Sequence, residues 1–278
     1  GDVGLGESYV LGYWDCDNIN KLVKWGIENK KPLERAIKGS ISKILFYRFK
    51  HFLKRNSKSG SIKNIHAHYD IGNKFYQLWL DSTMTYSSAI FKSSNEKLSE
   101  AQENKYQNIL NKLKPKAGDH ILDVGCGWGG FMEYAARNGF KVTGITISKE
   151  QYEYAKKRLS KYESLTEVKL LDYRDIVGKY NHIVSIEMFE ALGFQYWKKY
   201  FNVLYSILRP GGKLVIQSIT INNDDFLSYK KCSDFIQQYI FPGGMLPSSK
   251  IVKEIATKQG FLHNDNFEFG LDYGATLK

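Results

Sequence analysis

Ile121-Leu-Asp-Val-Gly-Cys-Gly-Trp-Gly-Gly130 decides the fold. A buried-strand pattern, 120–124, runs into a glycine-rich turn and then into a helical pattern over 130–138. Gly125 and Gly127 let the backbone turn tightly and lie close to a ligand. A turn that only joins a strand to a helix would look similar, and a bare G-x-G also serves dinucleotide sites. The surroundings narrow the choice. Strand patterns recur at 141–145, 168–171, 182–186 and 213–219. Helical patterns cover 99–113, 149–160 and 196–208, an aromatic-rich helix is expected over 74–80, and Pro210-Gly-Gly212 reads as a turn. Strands separated by helices predict an α/β fold with a doubly wound, Rossmann-like parallel sheet.

The 278 residues are enough for one such domain and a smaller appendage. Hydrophobic content is that of a globular protein. The formal net charge of +11 suits an anionic membrane, nucleic acid or acidic small molecules, without choosing among them. Cys16, Cys126 and Cys232 are widely spaced and form no CxxC, which argues against a disulfide framework or a zinc site and for a reducing compartment. Cys126 reads as a small residue filling the glycine turn. No apolar run reaches the length of a membrane span, and Gly1-Asp-Val is not a signal-peptide start. The chain begins without Met, so processing or trimming at that end is expected.

From Ala36 to Tyr69 the sequence has no acid and holds Lys38, Lys43, Arg48, Lys50, Lys54, Arg55, Lys58 and Lys63. Ile41, Ile44, Leu45, Phe49, Phe52 and Leu53 recur there at helical spacing. A basic amphipathic helix follows, packed on a neighbour with a solvated basic face or lying on a membrane surface. Asn56-Ser-Lys-Ser-Gly-Ser61 reads as a flexible linker. The expected division is 1–60, a mainly helical N-terminal region with a basic linker, incomplete, and 61–278, the catalytic domain.

Three details favour S-adenosylmethionine (SAM) over a dinucleotide. Asp123 stands two residues before the first glycine. The second strand ends in Gly144-Ile-Thr-Ile-Ser148, with no acid for a ribose. Asp172-Tyr-Arg-Asp175 and Leu208-Arg-Pro-Gly-Gly212 fall where methyltransferases place their adenine loop and a late strand turn. Backbone N–H groups of the turn suit the carboxylate of SAM, and aromatic rings such as Trp128, Tyr86 and Tyr173 suit its sulfonium and adenine.

With these motifs the sequence resembles the cyclopropane-fatty-acid synthase family of SAM-dependent methyltransferases over nearly its whole length. The resemblance rests on Gly6-Glu-Ser-Tyr9, Tyr13-Trp-Asp15, His68-Tyr-Asp-Ile-Gly-Asn73 with Phe75-Tyr-Gln-Leu-Trp79, and Met84-Thr-Tyr-Ser-Ser-Ala89. It continues through Leu122-Asp-Val-Gly-Cys-Gly-Trp-Gly129, Ile183-Val-Ser-Ile-Glu-Met-Phe-Glu190, Tyr239-Ile-Phe-Pro-Gly-Gly244 with Leu246-Pro-Ser248, and Asp272-Tyr-Gly-Ala-Thr-Leu277. It implies SAM contacts at Tyr86, Ser87, Gly125, Gly127, Trp128 and Gly129, a ribose side at Thr146, Ile147 and Gln151, and adenine flanked by Tyr173 and Arg174. Asp123 joins this cofactor set. The implied substrate is the unsaturated acyl chain of membrane phospholipids. A bicarbonate base is implied at positions matching Ser88, Glu190, Gln217, Ile219 and Tyr273. The resemblance allows a homodimer and implies a cytoplasmic enzyme at the inner face of an anionic membrane. The chain ends directly after the closing motif where the family runs further, so more C-terminal residues are expected.

This sequence departs from the family pattern. Ser88 replaces the usual Cys, Gln217 the usual His, and Ala191 the His after Glu190. Ser88 and Gln217 can still hydrogen-bond an anion, but Gln217 carries neither charge nor a transferable proton. Glu190 could orient a base or cap a helix, and Tyr273 could be core packing. Phe235-Ile-Gln-Gln-Tyr-Ile-Phe-Pro-Gly-Gly-Met245 is expected to line an acyl tunnel or to pack the core. His66 and His68 fit surface turns as well as catalysis. A methyl- or methylene-branching enzyme and a small-amine N-methyltransferase stay open beside the cyclopropane reading. A SAM-binding protein without catalysis would not need Glu190 and Tyr273. Nucleic acid is not an expected partner, for lack of an Asn/Asp-Pro-Pro-Tyr base-flipping motif.

Overall fold

The computed structural model describes residues 2–29, 31–33, 46–47, 55–58, 60–61, 64 and 72–278. Five strands form one parallel sheet: β1 (His120–Val124), β2 (Lys141–Thr146), β3 (Thr166–Leu170), β4 (Tyr180–Ile186) and β5 (Leu208–Gln217). Their order is β3-β2-β1-β4-β5. The chain steps outward from β1 to β3, then crosses back to lay β4 on the other side of β1. Such a reversal leaves a crevice beyond the carboxyl ends of β1 and β4, where open α/β sheets take their ligands.

The central strands are covered on both faces, as parallel sheets require. Leu122, Val124 and Ile183 pack with Phe189, Trp197, Tyr200, Phe201 and Leu204. Ile121, Val142 and Val184 pack on the opposite side with Tyr106, Ile109, Leu113, Phe131 and Met132. Each such side chain, fully buried, contributes about 1.5–3 kcal/mol. The Leu98–Leu113 helix shows how the second layer is built. Its buried positions, Ala101, Gln102, Lys105, Tyr106, Ile109, Leu110 and Leu113, follow one helical stripe. Two polar residues on that stripe, Gln102 and Lys105, are fully buried.

Pro210-Gly-Gly212 is not a free turn but a bulge inside β5. Tyr180 pairs with Leu208 and His182 with Lys213, so four residues of β5 pass opposite Asn181 alone. Gly211 takes a positive φ of 76° there.

The N-terminal region is helical over Asp2–Val10 and Ile19–Glu28. Asn18 caps the second helix by accepting from the Lys21 N–H at 3.0 Å. The basic amphipathic stretch lies largely outside the described residues, as do His66 and His68. The flexible-linker reading of 56–61 does not hold for its described residues. The Asn56 side-chain amide donates to Ala191 O at 2.7 Å, the Asn56 backbone carbonyl accepts from Arg174 at 3.1 Å, and the Ser61 hydroxyl accepts from Arg174 at 2.7 Å. Asn56 and Ser61 are buried because their polar groups find partners in the catalytic layer. Among the described residues, no helix is long and apolar enough to cross a membrane.

Candidate active site

The glycine turn leaves β1 at the crevice. Gly125 and Gly127 take φ of +83° and +55°, which an L side chain rarely adopts. A Cβ on Gly125 would stand 2.7 Å from Met188 Cγ, whereas one on Gly127 would meet nothing within 4 Å. Asp123, the last but one residue of β1, is 1% exposed and its Oδ1 has no hydrogen-bond partner. Burial raises its carboxyl to about 7, with the Lys105 ammonium opposing. A buried acceptor without a donor is costly, so it marks the place of a missing donor. The α-ammonium of SAM is such a donor, and the turn has the backbone room for its carboxylate.

An aromatic cluster stands beside the cavity, which Tyr86 and Trp128 line. Tyr76, Trp79, Tyr86 and Trp128 stand with ring centroids 5.0–5.7 Å apart. The Trp128 indole donates to Asn73 Oδ1 at 2.6 Å, fixing the ring over the cavity. The loop carrying Tyr86 and Ser87 is held from beneath by Lys105, whose ammonium donates to Ser87 Oγ and Gln102 Oε1, each at 2.6 Å. Burial lowers Lys105 to about 7, against the pull of Glu187, Asp81 and Asp123. From above, the Gly270–Thr276 helix holds the same loop through Thr276 to the Ala89 N–H and Asp272 to the Phe91 N–H.

Beyond β2 and β3 lie the expected ribose and adenine residues. The Thr146 hydroxyl donates to Gln151 Oε1 at 2.8 Å. Ile147, Gln151, Tyr173 and Arg174 line the same cavity as the glycine turn. The Tyr173 ring packs on Tyr200, and its buried hydroxyl has no hydrogen-bond partner. The Arg174 guanidinium is engaged by Asp172 at 2.6 Å as well as by Asn56 and Ser61, so it supports the wall as a strut.

Four of the five positions expected to serve a base meet around the ends of β4 and β5. The Ser88 N–H and the Gln217 side-chain amide both donate, at 2.9 Å, to Glu187 Oε1. The Gln217 amide also donates to Ser88 O at 3.0 Å. The Ile219 N–H donates to Glu190 Oε1, while Glu190 Oε2 is buried without a partner. Burial, then the neighbouring Glu187, raise Glu190 to about 8. Tyr273 lies on the Gly270–Thr276 helix and lines an adjoining cleft along β5 with Ser88, Gln217 and Ile219. Its phenol is raised first by burial, then by Glu187, Tyr86 and Glu190.

Gly129 does not line the cavity; it precedes the Gly130–Arg137 helix with φ +82° and packs on Ala155. Of 235–245, only Phe241 lines the cofactor cavity, and Ile236–Ile240 forms a single π-turn. Sequence reasoning missed Glu187 and Lys105. Glu187 was hidden inside the quoted segment after β4. Lys105 had a signal, a charged residue on the apolar stripe of its helix.

A family model, mycolic acid cyclopropane synthetase, matches residues 56–278. The chain is 36% identical over 282 residues to the cyclopropane-fatty-acyl-phospholipid synthase of Escherichia coli (strain K12), covering 100% of this chain and 70% of that protein. It is 33% identical over 275 residues to the tuberculostearic acid methyltransferase UfaA1 of Mycobacterium tuberculosis, covering 92% of this chain. It spans 62% of that relative's length. Among solved structures, the cyclopropane synthase MmaA2 from Mycobacterium tuberculosis superposes with a TM-score of 0.67 at 31% identity, covering 72% of this chain and 75% of that one.

Proposed function

The chain belongs to the mycolic acid cyclopropane synthetase family, and on that premise we propose that it is a SAM-dependent C-methyltransferase acting on the double bond of unsaturated phospholipid acyl chains. Bound SAM supplies an electrophilic methyl group on a sulfonium. The observation that carries the reading is one crevice at the β1/β4 reversal holding both an unpartnered buried Asp123 oxygen and the buried Glu187 carboxyl, with the Glu190 carboxyl buried beside Glu187.

Asp123 Oδ1 would accept from the α-ammonium, and the N–H groups of the turn would face the carboxylate. Tyr86 and Trp128 would present ring faces to positive charge, which suits the sulfonium and then the cation left on the acyl chain. Thr146, Ile147 and Gln151 would hold the ribose side and Tyr173 the adenine, with Arg174 as its support. An alkene is a weak nucleophile, so it needs the methyl held in line and water excluded. A base must then take a proton. Loss from the new methyl with ring closure gives a cyclopropane. A hydride shift that first moves the cation onto the methylated carbon, followed by loss from the methyl, gives a methylene branch. Ser88 and Gln217, standing where Cys and His are usual, keep the second outcome open beside the first.

The substrate would be met at an anionic bilayer on the cytoplasmic side, with the basic 36–69 stretch against the headgroups. The test is incubation of the chain with labelled SAM and vesicles of unsaturated phospholipid, followed by acyl-chain mass analysis. A gain of CH2 in the acyl chains supports the proposal. Label entering only amines, or no transfer, overturns it. Vesicle co-sedimentation that is lost at high salt checks the membrane contact.

A further inference from the structure

Glu187 has a conformation and a setting that its sequence position does not announce. It follows β4 with φ +48°, one of three non-glycine residues with positive φ among those described, and Met84, another of the three, lines the same cavity. A left-handed Glu is uncommon and costs free energy, so an observed case at a cavity wall points to a role. The turn aims the side chain between the ends of β4 and β5. There the Ser88 N–H and the Gln217 amide both donate to Oε1. No described residue engages Oε2. Glu187 is also the one described residue that lines both the cofactor cavity and the adjoining cleft, whereas Glu190 lines neither.

We propose that Glu187 is the base of the reaction, a built-in carboxylate standing among the groups that the family resemblance assigns to a bicarbonate ion. This rests on the acyl-methylation reading above. Oε1 is held by its two donors, which leaves Oε2 to take the proton. The step balances. The alkene π pair forms a C–C bond to the methyl as the C–S bond of SAM breaks, leaving a cation on the other alkene carbon and S-adenosylhomocysteine (SAH). Oε2 then takes a proton from the new methyl. The released C–H pair closes the three-membered ring; where a 1,2-hydride shift has first carried the cation onto the methylated carbon, the same proton loss forms the exocyclic double bond, and in either case Glu187 passes its proton to solvent.

The two carboxyls divide the work. Glu190, raised to about 8, stays protonated at neutral pH. Glu187 is raised by burial too, but Lys105, Gln217 and the Ser88 N–H all favour its ionised form. Gln217 fits this arrangement as well, because a neutral amide can orient a carboxylate without competing for the proton.

The experiment uses the chain with SAM and unsaturated phospholipid vesicles, in buffer stripped of carbon dioxide and in the same buffer with bicarbonate added. Wild type should turn over equally in both. Acyl product only with bicarbonate overturns the inference and leaves the proposed function standing; no acyl product in either buffer overturns the proposed function. E187Q should lose about a hundredfold or more in turnover, with SAH affinity unchanged by calorimetry. E187Q within about threefold of wild type, a small change on that scale, overturns the inference. E187G removes the carboxyl at a φ that glycine favours, and retained SAH binding shows that it has folded. Its turnover should be restored about tenfold or more by formate, a small carboxylate able to act as the missing base. An E187G chain that binds SAH and stays inactive with formate overturns the inference.

Discussion

Asp123→Asn exchanges a buried carboxyl for an amide of the same shape, and the structure predicts opposite effects on stability and on cofactor binding. In the wild type the carboxyl is 1% exposed, Oδ1 has no partner, and burial raises it from 3.8 to about 7 against the opposing Lys105 charge. The folded-state value lies above the unfolded one, so the native state holds the proton more tightly. That contribution is complete below about pH 4 and is lost as pH rises through about 7. A rise of three units sets a ceiling of about 4 kcal/mol on the difference. Asn has no charge to bury, so the ligand-free variant should be more stable than wild type at pH 8, with the gap closing toward pH 4. Cofactor binding should move the other way. The amide cannot match a carboxylate facing an ammonium, and a hydrogen bond to a charged group is worth about 1.5–3 kcal/mol, roughly 10–150-fold in Kd. Urea unfolding at pH 5 and pH 8, with titration calorimetry of SAH, measures both. A variant that binds SAH within about threefold of wild type, under 1 kcal/mol, refutes Oδ1 as the ammonium acceptor. Equal stability at pH 8 refutes the buried-charge argument.

Gly125→Ala forces a side chain into φ +83° and against Met188; it should cost about 1–2 kcal/mol in backbone strain and about 1–3 kcal/mol in overlap, read as a lower denaturation midpoint and lost SAH binding. Arg174→Met leaves Asp172 buried beside an apolar chain and frees Asn56 and Ser61 from the wall. It should destabilise by roughly 3 kcal/mol, the low end for breaking a buried ion pair, because the cavity admits solvent on one side; an unchanged unfolding curve would contradict this. Lys105→Met removes a charge that favours the ionised forms of both Asp123 and Glu187. Their carboxyl pKa values should rise, moving the acidic limb of kcat/KM against pH to higher pH, and an unmoved limb would show that neither titration governs turnover.

The glycine turn, the alternation of strands and helices, and most of the cofactor wall were legible in the sequence because they are local. Glycine at a positive φ, a strand entering it and a helix leaving it all lie within one short segment, Ile121 to Gly130. Strand order and the crevice at the β1/β4 reversal then follow from ordinary parallel-sheet topology. The linker at 56–61 read as flexible because Asn, Ser and Gly are turn formers; that they dock depends on Arg174, more than a hundred residues away. Lys105 is a surface type of residue by composition, and only the layer packed over it makes it a buried strut. Sequence alone determined the fold class, the cofactor turn and the cast of residues around it. Tertiary structure decided which carboxylate is addressed by Ser88 and Gln217. Hydrogen bonds between chain segments some thirty to one hundred residues apart leave no periodicity to read, and a Glu turned to positive φ is visible only once β4 and β5 are side by side.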